Sequence, residues 1–306
     1  MSHFLAPVFE PAFFTSTTVQ VALAVGGIVA LVAGTVGVFT VMRGQSFAGE
    51  ALGDIGTTGG SGAYLIGVGP LWGFVAISVV AAGAMEAIGI QRPRGRDLAT
   101  GIVLGAALGL AALFLYLDAT QSNTTGATVT ILFGSMFAIP TSTIPLVVVL
   151  SLTVVAIVAV LYRPLLLSSV SAELAAARGI PVRAVGALYL LALAISVALA
   201  AMTIGTILST ALLIGPAATA LRLTRRPGAA MLAACLIGLG CTWLGIVLAY
   251  DSYAWPPVHV GWPVSFFVVT IIFVLYLLSG VSSLWRQRRP ASHPVAPVES
   301  VGAGDR

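Results

Sequence analysis

The charge distribution of the chain constrains its fold more than any other feature. All fourteen cationic residues are arginine, and they fall into clusters separated by long apolar stretches. The clusters are Arg43; Arg92, Arg94 and Arg96; Arg163, Arg178 and Arg183; Arg222, Arg225 and Arg226; Arg286, Arg288 and Arg289; and Arg306. Each gap between clusters has room for two membrane crossings of about 20 residues, apart from the tail that Arg306 ends. Because short arginine-rich loops stay on the cytoplasmic side, the clusters predict a polytopic membrane protein whose arginines all face the cytoplasm.

The composition agrees with a membrane location and excludes other classes. The chain is 58% hydrophobic and 8% charged, with a mean hydropathy of +1.07, whereas about a quarter of the residues of a soluble domain are charged. The sequence contains no lysine, so it cannot carry the G-x-x-x-x-G-K phosphate loop of an ATPase. Its net charge of +4 comes from arginines beside apolar segments, which indicates orientation in a membrane and not nucleic-acid binding.

Apolar segments of membrane-spanning length recur along the chain. We place them near 18–42, 45–67, 71–90, 98–117, 143–162, 184–203, 205–222, 229–250 and 263–283. These segments predict an all-α polytopic bundle of about nine transmembrane helices in the cell membrane, with the N-terminus outside and the C-terminus in the cytoplasm. The domain organisation is then an extracellular segment (1–17), a transmembrane domain (18–283) and a cytoplasmic tail (284–306) of disordered composition.

The segments between the spans hold further features. Residues 119–142 are too polar and then too short to cross, so we expect a re-entrant turn at the outer face. Asp118, Asp251 and His259 are expected in outer loops. Residues 163–183 form the longest internal loop, in which Ala172–Arg178 is typical of a short helix that ends before a glycine.

Proline in a span is a second kind of irregularity. Pro216 follows Gly215 in the segment 205–222, and proline removes a backbone hydrogen bond and kinks a helix. Kinked spans often line transport pathways, so Gly215 and Pro216 are candidate pathway residues. A role in helix packing is the alternative.

Two carboxylates in the second span are the candidate binding residues. Glu50 and Asp54 are separated by four residues, so their side chains project from one face of a helix. At about 1.5 Å per residue, Asp54 lies roughly 16 Å along the helix from Arg43, near the bilayer centre. Paired carboxylates there are disfavoured in lipid and attract a cation or protons, and oxygen ligands suit divalent metal ions. The alternative is that Glu50 lies at the cytoplasmic interface and Asp54 bonds a nearby threonine, without any ligand.

Other polar and glycine motifs have simpler interpretations. Glu86 lies near Arg92 at the inner end of the third span, which favours a structural ion pair or an interfacial position over a metal site. The segment Gly59–Gly62 matches the G-x-S-G of intramembrane serine proteases, but no predicted span contains a histidine base, so helix packing is favoured. Gly101, Gly105 and Gly109 form a small-residue stripe, which we interpret as an intramolecular contact.

Five ordered segments give the chain a resemblance to a known family. They are Arg43-x-x-Ser46-x-x-Gly49-Glu50-Ala51-Leu52; Arg96-Asp97 with Gly101-Ile102-Val103; Leu132-Phe133-Gly134-Ser135; Arg163-Pro164-Leu165 with Glu173-Leu174-Ala175 and Arg178-Gly179-Ile180-Pro181; and Ala211-Leu212-Leu213-Ile214-x-Pro216-Ala217-Ala218-Thr219-Ala220. Across about residues 18–283 the chain resembles the permease subunits of zinc and manganese uptake ABC transporters. Where that family has D-A-L-S-H, this chain has Glu50, Gly53 and Asp54 in place of the aspartate, serine and histidine.

The resemblance implies a function and a set of partners. The chain would be the permease of an ATP-driven importer of a divalent metal ion (manganese, zinc or iron), with Glu50 and Asp54 binding the ion, no permanently bound cofactor and no enzymatic activity of its own. The implied partners are a separate ATPase subunit, an extracellular metal-binding lipoprotein and a second permease copy. The ATPase would press on a coupling loop formed by Glu173, Leu174, Ala175, Arg178, Gly179 and Pro181. Replacing the family's imidazole with a carboxylate favours harder ions such as manganese or ferrous iron.

One rival function stays open at this point. A self-sufficient secondary transporter could use proton binding at Glu50 and Asp54 for coupling, and transport without ATP would distinguish it. The chain has no convincing inverted repeat, which such transporters often have.

Overall fold

The computed structural model describes residues 11–88, 96–121, 125–134, 136–224, 226–255 and 261–287. This part of the chain consists of helices joined by short connections and contains no strand. The helices are α1 (Pro11–Thr15), α2 (Thr17–Met42), α3 (Ser46–Leu65), α4 (Pro70–Ile88), α5 (Arg96–Gln121), α6 (Thr125–Phe133), α7 (Ile144–Val170), α8 (Ala172–Ala177), α9 (Val182–Ile204), α10 (Thr206–Leu223), α11 (Pro227–Asp251) and α12 (Val264–Gln287), with single 3-10 turns at Met136–Ala138, Thr141–Thr143 and Ser252–Ala254.

The long helices coincide with the predicted spans and confirm an all-α polytopic membrane protein. In the described part of the chain, eight helices are long and apolar enough to cross a bilayer: α2, α4, α5, α7, α9, α10, α11 and α12. The remaining predicted span is α3, which has 20 residues and a length of about 30 Å. Its two carboxylates and many glycines lower its hydropathy, although its length still suffices for a crossing.

Two helices form the centre of the bundle. Of the apolar stretch of α9, 78% is buried inside the protein, and of that of α2, 72%. Helix α2 packs against α7, α9, α10 and α11, while α9 also packs against α3 and α4. Helix α5 is peripheral, because it contacts mainly α3 and only 11% of its apolar stretch is buried.

Glycines set the close spacing of the central helices. A Cβ atom on Gly34 would lie 2.8 Å from the backbone nitrogen of Cys235 in α11. One on Gly37 would overlap the carbonyl oxygen of Leu213 in α10. Helix α2 therefore meets α10 and α11 backbone to backbone, as small residues allow in membrane proteins.

The glycine cluster of α3 is a packing surface, as the sequence favoured. Gly59 and Gly73 are in direct backbone contact between α3 and α4, and a Cβ on Gly60 would meet the ring of Phe74 at 2.6 Å. The Ser61 hydroxyl donates a hydrogen bond to a carbonyl of its own helix.

The stripe on α5 departs from the prediction. Gly101, Gly105 and Gly109 have no atom within 4 Å of an added Cβ and are exposed. The prediction of an intramolecular contact at this stripe is therefore wrong. The cause is the peripheral position of α5, which turns its glycine face away from the bundle.

Helix α7 is longer than expected, so the internal loop is shorter. The prediction ended this span at 162, but the helix continues through Arg163 and Pro164 to Val170. The buried Leu165, at 0% exposure, extends the apolar face by another turn. Only the short helix α8 and its flanking residues then connect α7 to α9. We call the end of the bundle where α7 ends and α9 begins the arginine end.

At the opposite end, the segment that follows α6 covers the turn between α9 and α10. Gly205 alone joins these helices, with φ 88° and ψ 160°, and Gly134, with φ 77°, crosses it. A Cβ on Gly134 would lie 2.5 Å from the Gly205 nitrogen and the Thr203 oxygen. The nine residues of α6 are too few to span a bilayer, which confirms that this stretch is not a crossing.

Two acidic residues expected in outer loops lie in helices instead. Asp118 belongs to α5 and Asp251 is the last residue of α11, and both are completely buried. Each helix continues beyond its predicted span, and the side of its last turns that carries the aspartate is buried. Asp251 accepts a hydrogen bond of 2.9 Å from Trp255 Nε1. His259 lies outside the described residues.

Candidate functional site

A tight turn at the arginine end brings the chain into α3. Helix α2 ends in a glycine turn in which Gly44 takes φ 62° and the Gln45 N–H donates to the Thr40 oxygen over 2.9 Å. This 6→1 hydrogen bond is the C-terminal cap for which glycine is favoured. Helix α3 begins directly afterwards, so Glu50 and Asp54 occupy its second and third turns.

The carboxylates belong to a polar stripe along α3 that becomes more buried with distance from the arginine end. Residues three or four apart lie on one helical face, and here that face carries Glu50, Asp54, Thr57 and Ser61. Glu50 is exposed and Asp54 half-buried, whereas Thr57 is 5% and Ser61 0% exposed. The short helix α6 packs against α3, α5, α9 and α10 at the opposite end. The stripe therefore begins at an open carboxylate and ends at hydroxyls in the protein interior.

Glycines position α3 against its neighbours. A Cβ on Gly53 would lie 3.0 Å from Ser209 Oγ in α10 and 3.2 Å from Val197 in α9. One on Gly49 would lie 3.0 Å from the Leu213 side chain. This side of α3 therefore fits against α9 and α10, and the carboxylate stripe lies beside the contact instead of within it. The glycine at position 53 keeps the helices close.

The alternative in which Asp54 forms a hydrogen bond with a nearby threonine is not observed among the described residues. Thr58 Oγ1 donates to the Ala107 oxygen of α5 over 2.7 Å and not to Asp54, and Asp54 also makes no bond to Thr57 within the described residues. Glu50 and Asp54 repel each other electrostatically. No cluster of three or more His, Cys, Asp or Glu side chains occurs in the part of the chain that the structure describes. The pair therefore offers oxygen ligands to a cation but does not complete a coordination shell.

Glu86 is the remaining acidic candidate near the arginine end. It is half-buried on α4, whereas Arg92, its predicted partner, lies outside the described residues. The predicted ion pair stays a prediction.

The proline region of α10 lies apart from the carboxylates. A Cβ on Gly215 would overlap Ile272 of α12, and the Pro216 ring lies 3.7 Å from a Cβ built on Gly238 of α11. The α10 side chains that lie against α3 near the carboxylates are instead Ser209, beside Gly53, and Leu213, beside Gly49. A pathway role for Gly215 and Pro216 stays a prediction.

The predicted coupling segment forms a short exposed helix at the arginine end. Ser171 caps α8 by accepting a 3.2 Å hydrogen bond from the Leu174 N–H, and Gly179 ends it with φ 77°. Leu174 is 59% exposed, an unusual environment for a leucine outside the apolar spans. Of the segment's predicted site residues, only Ala175 is buried; those left open are Glu173, Leu174, Arg178, Gly179 and Pro181.

One cluster at the arginine end was missed from the sequence. In the sequence, Arg43 is an orientation signal and the first residue of one of the five ordered segments, and Tyr189 is part of an apolar span. In the structure the Arg43 guanidinium carbon lies 5.4 Å from the centroid of the Tyr189 ring. A tyrosine in an otherwise aliphatic span was the one available signal, because a buried phenol needs a hydrogen-bond partner.

The fold and the carboxylate stripe define a class: a polytopic transport protein of the membrane in which a polar helix is enclosed by apolar ones. Comparison with known proteins identifies the family. Residues 15–280 match the ABC 3 transport family, and the chain belongs to it. It is a multi-pass protein of the cell membrane.

Individual relatives carry more specific names. The chain is 32% identical over 235 residues to the manganese transport system membrane protein MntC of Halalkalibacterium halodurans, covering 76% of this chain and 79% of the relative. It is 27% identical over 239 residues to the high-affinity zinc uptake system membrane protein ZnuB of Haemophilus influenzae, covering 78% and 90%. A solved structure of PsaBC from Streptococcus pneumoniae in complex with Fab matches with a TM-score of 0.74 and 25% identity, covering 88% of this chain and 92% of that one. These matches confirm the resemblance to zinc and manganese permeases.

Proposed function

We propose that this protein is the permease subunit of an ABC importer for a divalent metal ion and that Glu50 and Asp54 bind the ion in transit. The observation that carries the proposal is the pair of carboxylates on one face of a membrane helix, left open by the chain's own fold. An uncompensated charge inside a membrane is costly, so an exposed pair needs a cation, a partner or water. Membership of the ABC 3 transport family makes an imported ion the fitting occupant.

Manganese is the ion that the ligand chemistry favours. Carboxylate oxygens suit hard cations, whereas zinc has a higher preference for imidazole and thiolate. This site has two carboxylates, and no histidine lies in the described part of the chain. Ferrous iron is the next candidate by the same argument.

The partners follow from the two ends of the bundle. We assign the arginine end to the cytoplasm, because arginine-rich loops are retained there. A separate ATPase subunit then meets α8, whose exposed Leu174 offers an apolar contact. An extracellular binding lipoprotein delivers the ion to the opposite end, at the side of α6. Transport proceeds by alternating access, with the ion site opening first to one end and then to the other.

A second copy of the permease completes the site. Manganese prefers octahedral coordination by oxygen, and one copy supplies two carboxylates. The open glycine face of α5 is suited to close contact with another helix. Two copies would bring four carboxylates to one pathway.

The ion site is tested by a substitution that removes the charge of one carboxylate and keeps the shape of the side chain. Permease, ATPase and binding protein are reconstituted in liposomes, and ATP-dependent uptake of radioactive manganese is measured. Asp54→Asn should lower uptake at least about tenfold, equivalent to about 1.4 kcal/mol, because the amide cannot neutralise the cation. The matched control is Glu86→Gln, which removes a half-buried carboxylate from α4 and should retain most of the uptake.

Two outcomes would contradict the proposal. Wild-type uptake by both Asp54→Asn and Glu50→Gln would make the pair structural. Uptake that needs a proton gradient and no ATP would identify the secondary transporter instead.

A further inference from the structure

Arg43 joins three helices at the arginine end. Its backbone N–H caps α2 by donating to the Phe39 oxygen over 2.9 Å. Its side chain donates from Nη1 to Ser168 Oγ in the last turn of α7 over 2.8 Å. The same guanidinium lies 5.4 Å from the centre of the Tyr189 ring of α9, within the range of a cation–π interaction.

The ring beneath Arg43 is fixed to α2. Tyr189 is completely buried, and its hydroxyl donates to the Val36 oxygen over 3.1 Å. That hydroxyl also lies 2.7 Å from Thr40 Oγ1, and Phe39 packs edge-on against the ring at 6.4 Å. The start of α9 and the end of α2 therefore form one rigid unit, and Arg43 extends from it towards α7.

Arg43 is connected to both the coupling helix α8 and the proposed ion-binding helix α3. It reaches α8 through its hydrogen bond to Ser168 and α3 through the chain itself. Ser168 lies three residues before Ser171, whose side chain caps α8. On the other side, Arg43 is followed at once by the Gly44 turn and by α3, so Glu50 is seven residues away. The hydrogen bond from Arg43 to Ser168 therefore connects the two segments by a short path.

We propose that Arg43 is a positioning residue that transmits displacement of α8 through Ser168 to the start of α3 and so to the carboxylates. This proposal rests on the proposed function, in which an ATPase moves α8. A charge-assisted hydrogen bond is stronger than a neutral one, and partial burial strengthens it further. Without it, movement of α8 and the last turn of α7 is transmitted less completely to α3, so fewer ions are transported per ATP hydrolysed.

Adjacent serines in α7 provide a matched pair for the test. The hydroxyls of Ser168 and Ser169 both donate to the Leu165 oxygen, over 3.1 Å and 2.6 Å. Both side chains are half-buried, and of the two it is Ser168 that accepts from Arg43. Ser168→Ala and Ser169→Ala therefore remove the same atoms and differ in the bond to Arg43.

The measurement is the number of manganese ions taken up per ATP hydrolysed, in liposomes that contain permease, ATPase and binding protein. Ser168→Ala should lower this ratio at least about fivefold, the lower end of typical coupling between sites. Ser169→Ala should keep the wild-type ratio. Arg43→Gln should lower the ratio at least as much, because it also removes the contact with the Tyr189 ring. The double variant should be no worse than Arg43→Gln, because the bond to Ser168 is already lost in that variant.

The outcomes separate this linkage from the function on which it rests. Equal ratios for Ser168→Ala and Ser169→Ala would overturn the linkage, as would additive losses in the double variant. Failure of the proposed function would show in the unsubstituted protein, as manganese uptake that does not require ATP.

Discussion

At the scale of single residues, the chemistry of the site depends on what occupies position 54. Asp54 is half-buried beside the contact between α3 and α10, and Gly53 lets the Ser209 hydroxyl lie 3.0 Å from where its Cβ would be. There is little room to rearrange the backbone here. Selectivity between metal ions should therefore follow the ligand atom, because the ligand's position is fixed by the helix.

Replacing Asp54 with histidine changes that atom and tests the argument. Asp54→His puts an imidazole in place of the carboxylate at the same position of α3. Imidazole is a better ligand for zinc than for manganese, so zinc should compete with manganese uptake at least about tenfold better, a difference of about 1.4 kcal/mol. The measurement is inhibition of radioactive manganese uptake by added zinc. Glu86→His, on α4, is the control, and an equal shift in both variants would refute a specific role for position 54.

At the scale of elements, the crossing of Gly134 and Gly205 fixes the end of the bundle opposite the arginine end. The α9–α10 turn has one residue with positive φ, and the backbone of the segment that follows α6 lies directly against it. Thr206 Oγ1 adds a 3.5 Å hydrogen bond to the Ile131 oxygen of α6. Helix α6 is held by this crossing at the buried end of the polar stripe.

A methyl group at the crossing should be strongly destabilising. Gly205→Ala forces a side chain into a backbone conformation that glycine alone adopts readily and pushes Cβ onto the Leu132 oxygen. We expect a loss of at least about 2 kcal/mol, measured as unfolding of the detergent-solubilised protein. Gly240→Ala, where Cβ meets nothing within 4 Å, should instead be neutral or stabilising by up to about 1 kcal/mol. Equal stability of the two variants would show that the crossing is not tight.

The bounds of a helix could be predicted from the sequence where a single physical effect determines them. Apolar length decides where a membrane helix lies, so α2 and α9 are within two residues of their predicted bounds. The end of α7 was missed because Leu165 is buried by contacts that a linear pattern does not contain. Asp118 was missed for the same reason, since its burial in α5 depends on neighbouring helices.

The candidate site also has a part that the sequence predicted and a part that it did not. The spacing of Glu50 and Asp54 predicted a shared helical face, because helical periodicity is local. The contact between Arg43 and Ser168 joins residues 125 positions apart, and nothing in the sequence of either segment indicates the other. The sequence pattern therefore indicates the proposed ion ligands and does not indicate the contact between Arg43 and Ser168.

At the scale of the whole molecule, the orientation in the membrane can be tested at two exposed positions. Val68 is 44% exposed in the turn between α3 and α4, and Ala176 is exposed on α8. In a variant whose two cysteines, Cys235 and Cys241, are replaced by serine, Val68→Cys should react with a membrane-impermeant thiol reagent in intact cells. Ala176→Cys should react only after the cells are opened. Labelling of Ala176→Cys from outside would reverse the assignment of the arginine end to the cytoplasm.

The proposed assembly of two permease copies can be tested on α5. Helix α5 has the smallest buried share among the apolar spans of the described chain, 11%, and Gly105 lies in the middle of its open glycine face. If a second copy packs there, a large side chain prevents the close helix contact that small residues permit. Gly105→Phe should therefore shift the protein in lipid nanodiscs from dimer to monomer, as measured by mass photometry, and lower ATP-dependent manganese uptake at least about tenfold. The uptake falls because the site then has two carboxylates, fewer oxygen ligands than a hard divalent cation takes.

The control for this substitution is another exposed glycine in a membrane helix. Gly240 of α11 also has nothing within 4 Å of an added Cβ, so Gly240→Phe adds the same ring to a different face and should leave the dimer intact. A dimer that survives Gly105→Phe would move the interface away from α5. Monomers that still import manganese at the wild-type rate would show that one copy of Glu50 and Asp54 suffices, and the remaining ligands would then have to come from water or from backbone carbonyls.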